Sequence, residues 1–200
     1  MTNRRQFLQI GMTATAWPFA SSAVRAAAQI PATEPLALYK VIYDRRFGAS
    51  VAFAERAAAL GLGVHAIEGD MTRFWYDELY HEWKKGPVAI AGLTAHGAMF
   101  CFEQLARDQS MRVVFRAEHK FGAAGVEHAL TGPHTMLRDG LALNDRGAEW
   151  AACMADVVAH CPQGRAEISH AAAASATVAR DAQVDAESLY SWVIAPAVKA

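Results

Sequence analysis

Acidic and basic side chains recur where the predicted β-strands end. Asp44, Arg45 and Arg46 directly follow the first β-rich segment, and Glu68 and Asp70 follow the second. A carboxylate can act in general acid–base chemistry, and a guanidinium offers a planar fork to a carboxylate or a phosphate. These residues therefore indicate an acid–base site or a site for a small anionic ligand.

The third strand end adds Gly92, Thr94 and His96. Glycine lets the backbone approach a ligand, and free N–H groups at a helix start attract an anion. Imidazole titrates near neutral pH, so His96 could act as a general acid or base that Asp44 orients. In the alternative interpretation Thr94 is a helix N-cap and His96 is a hydrogen-bonding loop residue.

A Glu-His dipeptide follows the fourth strand and recurs nine residues later. The pairs are Glu118-His119 and Glu127-His128, and His134 lies close behind them. Histidine and carboxylate ligands suit zinc and other first-row metals. The spacing matches no zinc motif such as HExxH. A metal at these residues stays open, and we assign no metal ligand.

The candidate site combines the four strand ends. Its catalytic candidates are Asp44 and His96, and its ligand-binding candidates are Arg45, Arg46, Glu68, Asp70, Gly92, Thr94, Glu118 and His119. No cofactor is identified, because neither GxGxxG after the first strand nor GxxxxGK[ST] occurs.

Alternating strands and helices predict the fold that would gather these residues. Strands are predicted at 36–43, 63–67, 88–91 and 111–115, and helices at 49–60, 73–84 and 96–108. This order is typical of βαβ units with a parallel sheet. We therefore expect an α/β fold, a single three-layer domain over residues 29–200 with a mainly parallel, flavodoxin/Rossmann-like sheet. Ligands bind such sheets beyond the carboxyl ends of the strands.

The remaining sequence is less regular. Glycines interrupt residues 117–147, where one short strand is predicted at 134–137. A helix is predicted at 148–161 and a last strand at 189–194, whereas the Ala-rich segment 171–186 is ambiguous. Many aromatic residues lie on the predicted helix 73–84, and they could pack in the core or dock a protein partner or a second copy.

The N-terminal segment has the layout of an export signal. Arg4 and Arg5 precede Phe7-Leu8, a weakly apolar stretch follows, and small residues cluster up to Ala28. This segment resembles twin-arginine secretion leaders, although Asn3 and Gln9 depart from the usual pattern. The resemblance implies cleavage after Ala28, a partnership with the twin-arginine export machinery and a periplasmic mature protein.

Composition limits the function of the mature chain. Without residues 1–28 the chain keeps 16 basic residues against 20 acidic ones, a net charge of about −4. No clustered basic patch of the kind that binds nucleic acid is visible. Two hypotheses follow: a periplasmic module that binds a small anionic ligand or serves an exported redox or enzyme partner, and a hydrolase, isomerase or lyase of small acids.

Overall fold

A computed structural model describes residues 34–164, 167–176 and 188–197. Its strands are β1 (Leu38–Asp44), β2 (Val64–Ile67), β3 (Ala89–Ala95), β4 (Met111–Gly122), β5 (Gly125–Pro133), β6 (Ile168–Ala176) and β7 (Leu189–Pro196). Its α-helices are α1 (Gly48–Ala59), α2 (Thr72–Phe74), α3 (Tyr80–Lys85), α4 (His96–Asp108), α5 (His134–Gly140) and α6 (Trp150–Ala159). A π-helical turn, Trp75–Leu79, joins α2 to α3, and 3₁₀ turns at Leu141–Asp145 and Gly147–Glu149 precede α6.

The seven strands form one mixed sheet in the order β2-β1-β3-β7-β4-β5-β6. Only β1 pairs in parallel, with β2 and β3, and every other pairing is antiparallel. The α/β class is confirmed, but the prediction of a mainly parallel, flavodoxin/Rossmann-like sheet is wrong. The parallel arrangement ends at β7, because this strand lies between β3 and β4 and runs antiparallel to both.

A long hairpin replaces the irregular stretch that the glycines predicted. β4 continues beyond the predicted end at 115, and β5 returns beside it. Val126, His128 and Leu130 are buried, while Glu127 and Ala129 between them are exposed. This alternation is the period of a half-buried strand. Residues 134–137 belong to α5 rather than to the predicted strand, and β6 occupies the first part of the Ala-rich segment.

Helices cover the two sheet faces unequally. One face, which we call the α1 face, packs against α1, α5 and α6. The opposite face, the α4 face, packs against α4 and the 72–85 helices over strands β1, β3 and β7. On that same face Ala129, His170, Ala172 and Ala174 of the outer strands are exposed. The outer strands therefore present an uncovered surface beside α4.

Contact between Gly92 and Trp192 sets the spacing at the sheet centre. The two residues are directly paired between β3 and β7. A Cβ atom built on Gly92 would lie 2.6 Å from Cζ2 of Trp192 and 2.5 Å from the carbonyl oxygen of Ile42. The Trp192 indole therefore packs directly on the backbone of residue 92, where a side chain would not fit. Gly92 is needed for this packing and not for the approach of a ligand.

The aromatic residues of the 72–85 segment divide between core and surface. Phe74 and Trp83 are buried, Trp75 and Tyr80 are partly buried, and Tyr76 is 64% exposed. No helix within the described residues has the length and apolar character needed to cross a bilayer. A docking role for this segment stays a prediction.

Replacing Gly92 with alanine should destabilise the fold by about 2 kcal/mol, because the added methyl overpacks a filled core. Chemical unfolding of Gly92→Ala measures the loss. Gly97→Ala is the matched control, since a Cβ there meets nothing within 4 Å. If both variants unfold at the wild-type denaturant concentration, the proposed contact does not constrain the sheet.

Candidate functional site

The charged residues after β1 and β2 are paired with one another. Both oxygens of the buried Asp44 accept hydrogen bonds from the Arg46 guanidinium, at 2.9 and 2.6 Å. Arg45 binds Glu68 at 2.7 Å, and an Asp70 oxygen accepts the backbone N–H of Thr72 at 2.8 Å. These contacts brace the loops after the strands, and the ion pairs Asp44–Arg46 and Arg45–Glu68 neutralise four of the five charges within the protein.

The structure does not join the two predicted catalytic residues. Among the described residues no hydrogen bond links Asp44 to His96. The exposed His96 ring instead contacts Tyr190 edge-on, at 5.1 Å between centroids, and Phe100, at 6.2 Å. The expected arrangement, with Asp44 orienting the imidazole, is therefore absent from this geometry.

Thr94 lies inside β3 rather than on a loop or at a helix cap. It is directly paired with Tyr190, and its Oγ1 accepts the indole N–H of Trp192 at 3.1 Å. Helix α4 begins at His96, and its N-cap residue Ala95 makes no side-chain cap bond. Thr94 therefore satisfies the buried Trp192 donor, a role that the sequence pattern did not reveal.

Cross-strand pairing places a polar row on the uncovered surface. Arg116 of β4 is paired with Thr131 of β5, which is paired with His170 of β6. Directly paired residues share one face of a sheet. The Oγ1 atom of Thr131 and the Nδ1 atom of His170 are hydrogen-bonded at 3.0 Å. Sequence analysis selected none of the three as site residues, because strands β5 and β6, which align them, were not predicted.

The next row joins this surface to α4. Glu118 is paired with Tyr190 on one side and with Ala129 on the other. The Tyr190 hydroxyl donates to Oε1 of Glu118 at 2.8 Å, and Lys120 lies 3.6 Å from Oε2. Burial, followed by the Glu118 hydrogen bond, raises the pKa of Tyr190. The phenol therefore stays protonated and holds Glu118 in place.

Arg116 lies over the ring of Tyr190. Its guanidinium carbon is 5.1 Å from the ring centroid, within cation–π range. The side chain is half-buried, and no carboxylate forms an ion pair with it in the described part of the chain. Of the predicted residues, His96, Thr94 and Glu118 therefore gather around Tyr190, beside an arginine that sequence analysis did not select.

An open hollow of about 480 Å³ lies on the outer strands next to these rows. It is lined by Glu118, Lys120, Glu127, His128, Ala129, Asn144, Ala172, Ala173 and Ala174. Many of the lining residues are alanines on neighbouring strands. Their small side chains leave the space that forms the hollow.

His119, predicted to bind a ligand, lies on the opposite α1 face and is fully buried. Its Nδ1 is 2.7 Å from Nδ1 of His128, and its Nε2 is hydrogen-bonded to Oγ of Ser191. Trp150 contacts both imidazoles, with centroid distances of 4.4 and 5.1 Å. Burial, followed by the nearby His128, holds the pKa of His119 well below its ordinary value, and burial lowers that of His128 to about 4.

The hydrogen-bonded series Ser191, His119 and His128 resembles a nucleophile, its base and a group that orients the base. A nucleophile must touch its substrate, yet Ser191 and His119 are both 0% exposed. This chain of hydrogen bonds therefore gives buried polar groups their partners. Burying the same groups without partners would cost free energy.

The two Glu-His pairs do not form a metal centre. Alternation along β4 and β5 sends Glu118 and Glu127 to one face and both histidines to the other. His134 begins α5 and is exposed. Within the described residues no three histidine, cysteine or acidic side chains gather in a metal-binding arrangement.

No protein-family model matches the chain, no curated protein matches its sequence, and no solved structure matches its fold. Evidence for function therefore comes from the geometry of the site.

The buried histidine pair should make the protein acid-sensitive. Folding lowers the pKa of His128 from 6.5 to about 4. The unfolded chain therefore binds the proton first, and stability present above pH 6.5 is lost as pH falls towards 4. The loss from His128 should be about 3 kcal/mol.

Chemical unfolding at pH 7 and pH 4 measures this difference. His128→Gln removes one titrating group, so it should reduce the pH dependence, whereas His81→Gln at an exposed position should leave it unchanged. Equal pH dependence in wild type and His128→Gln would contradict the assignment.

Proposed function

We propose that this protein is an exported module that binds a small anionic molecule on the uncovered surface beside α4. The observation that carries the proposal is the half-buried Arg116, which lies on Tyr190 without an ion-pair partner among the described residues. A guanidinium removed from water favours a bound carboxylate or phosphate, because charge-assisted bidentate hydrogen bonds replace its lost hydration.

The other predicted arginines support this choice by contrast. Arg45 and Arg46 bind Glu68 and Asp44, each at 2.5–2.6 Å in their closest ion-pair contacts. A ligand anion at those positions would have to compete with a carboxylate already in place. Arg116 offers its charge without that competition, so the proposed site moves from the ends of β1 and β2 to β4.

Neighbouring polar groups can complete the coordination of an anion. Thr131 and His170 lie on the same row as Arg116, and His96 lies on the far side of Tyr190. A hydroxyl and imidazole N–H groups are hydrogen-bond donors that an anionic oxygen accepts. The proposed anchor is therefore Arg116, with donors supplied from β5, β6 and α4.

The enzymatic alternative has weaker support. Asp44 and His96 are not in hydrogen-bond contact, and the serine–histidine chain on the α1 face is out of reach of a substrate. For a service role to an exported redox or enzyme partner, the described residues offer the exposed Tyr76 of the 72–85 segment, which by itself does not favour a protein partner over a small ligand. We therefore prefer the binding module to either alternative.

Export to the periplasm remains part of the proposal through the resemblance of the leader. Residues 1–28 lie outside the described residues, so the paired Arg4 and Arg5 are its support. The twin-arginine route carries folded proteins, which suits a domain whose sheet is joined by a late strand.

Replacing Arg116 with glutamine should weaken binding of small carboxylates or inorganic phosphate by roughly 10- to 100-fold, since hydrogen bonds to a charged group are lost. Isothermal titration calorimetry with each anion measures the dissociation constants. Arg112→Gln is the matched control, an exposed arginine on the same strand. Unchanged anion affinity in Arg116→Gln, or no anion binding by the wild type, would contradict the proposed function.

Replacing Arg4 and Arg5 together with lysine should abolish export, because the twin-arginine machinery reads the arginine pair and not its charge. Cell fractionation and immunoblotting report the location of the protein. Arg25→Lys, near the proposed cleavage point, is the control and should be exported. A periplasmic double variant would contradict the proposed route.

A further inference from the structure

We infer that the ligand is a planar aromatic ring carrying a single carboxylate. The inference rests on the proposed function and adds the chemistry of the rest of the ligand. It follows from three features connected to Arg116 through Tyr190 and the neighbouring strand rows: an aromatic wall at the start of α4, a floor of small side chains and flanking carboxylates.

The wall consists of the exposed His96 and Phe100 rings and of Tyr190, which is 8% exposed and contacts both His96 and Arg116. The His96 and Phe100 rings lie near parallel, at 24°, and Tyr190 meets His96 at 62°. Phe100 is 49% exposed, whereas Met99 and Phe102 on the same helix are buried in the core. An exposed phenylalanine beside a cation offers apolar area that a ligand ring can cover.

The floor consists of small side chains on which a ring can lie. Ala129 of β5 is directly paired with Ala172 of β6, and Ala174 follows on the same face. All three are exposed and line the hollow of about 480 Å³. Volumes of this order hold small organic molecules, and a planar ring contacts methyl groups on one side without needing depth.

The charges at the surface limit the ligand to one negative group. Glu118 lies two residues beyond Arg116 on the same face of β4, and Glu127 lies one row further. Lys120 forms an ion pair with Glu118 at 3.6 Å, so its charge is already shared. A second anionic group on the ligand would approach these carboxylates and be repelled.

Five probe compounds separate the properties of the ligand. Calorimetry with the purified protein should show that benzoate binds about tenfold more tightly than cyclohexanecarboxylate, which has equal charge but is not planar. Acetate lacks the ring, benzamide lacks the charge and phthalate adds a second carboxylate. Each should bind at least tenfold more weakly than benzoate.

A variant of the wall tests the aromatic contact. Phe100→Ala should weaken benzoate about tenfold and leave acetate unchanged. Tyr76→Ala removes an exposed aromatic ring from the 72–85 segment and is the matched control. Phe100 is exposed on α4, so its replacement should leave the thermal midpoint near that of the wild type, which the same samples report.

The outcomes separate this inference from the proposed function. If carboxylates bind in an Arg116-dependent way but benzoate has no advantage over cyclohexanecarboxylate or acetate, the inference fails and the anion site stands. If phthalate binds as tightly as benzoate, the single-charge limit is wrong. If phosphate binds but no carboxylate does, the inference fails and the anion site stands. If neither phosphate nor any carboxylate binds, or Arg116→Gln has no effect, the proposed function itself fails.

Discussion

The fit of Trp192 onto bare backbone at Gly92 holds the centre of this structure together. It lets β7 lie close to β3, where the Thr94 hydroxyl also accepts the indole N–H. β7 in turn pairs with β4, so one strand joins a parallel half of the sheet to an antiparallel half. A larger residue at Gly92 would collide with closely packed neighbours. The core could accommodate it only with strain.

The same central strand supplies both polar clusters, and strand alternation keeps them apart. Tyr190 reaches the α4 face, where it supports Arg116 and fixes Glu118. Ser191, the next residue, reaches the α1 face and is hydrogen-bonded to His119 beneath Trp150. One cluster is open and charged, and the other is sealed and neutral. A period of two along β7 therefore separates a surface suited to binding from a buried hydrogen-bond chain.

The sequence predicted local elements well but not their neighbours. Strands β1 to β3 and helices α1 and α4 were foreseen, and β7 was recognised as a strand, because apolar periodicity is a local signal. Its place beside β3 was not foreseen, since pairing depends on contacts between residues distant in the chain. β5 was hidden because glycines dominate its surroundings and His128 occupies a core position that is usually apolar. Of the selected residues, His96 and Glu118 both contact Tyr190, whereas Thr94 is buried beneath Trp192. Arg116 stood at a predicted strand end like the other arginines, and its lack of a carboxylate partner depends on strand pairing that the sequence does not reveal.

The position of β7 also governs the order in which the molecule can assemble. It follows the other six described strands in the chain, yet it lies in the middle of the sheet. While the nascent chain still lacks it, β1 to β3 and β4 to β6 have no strand pairing between them. Each half would expose an unpaired edge, the kind of surface on which partly made chains aggregate. Completion of the sheet is consequently a late event that depends on contacts spanning about a hundred residues, from Gly92 to Trp192.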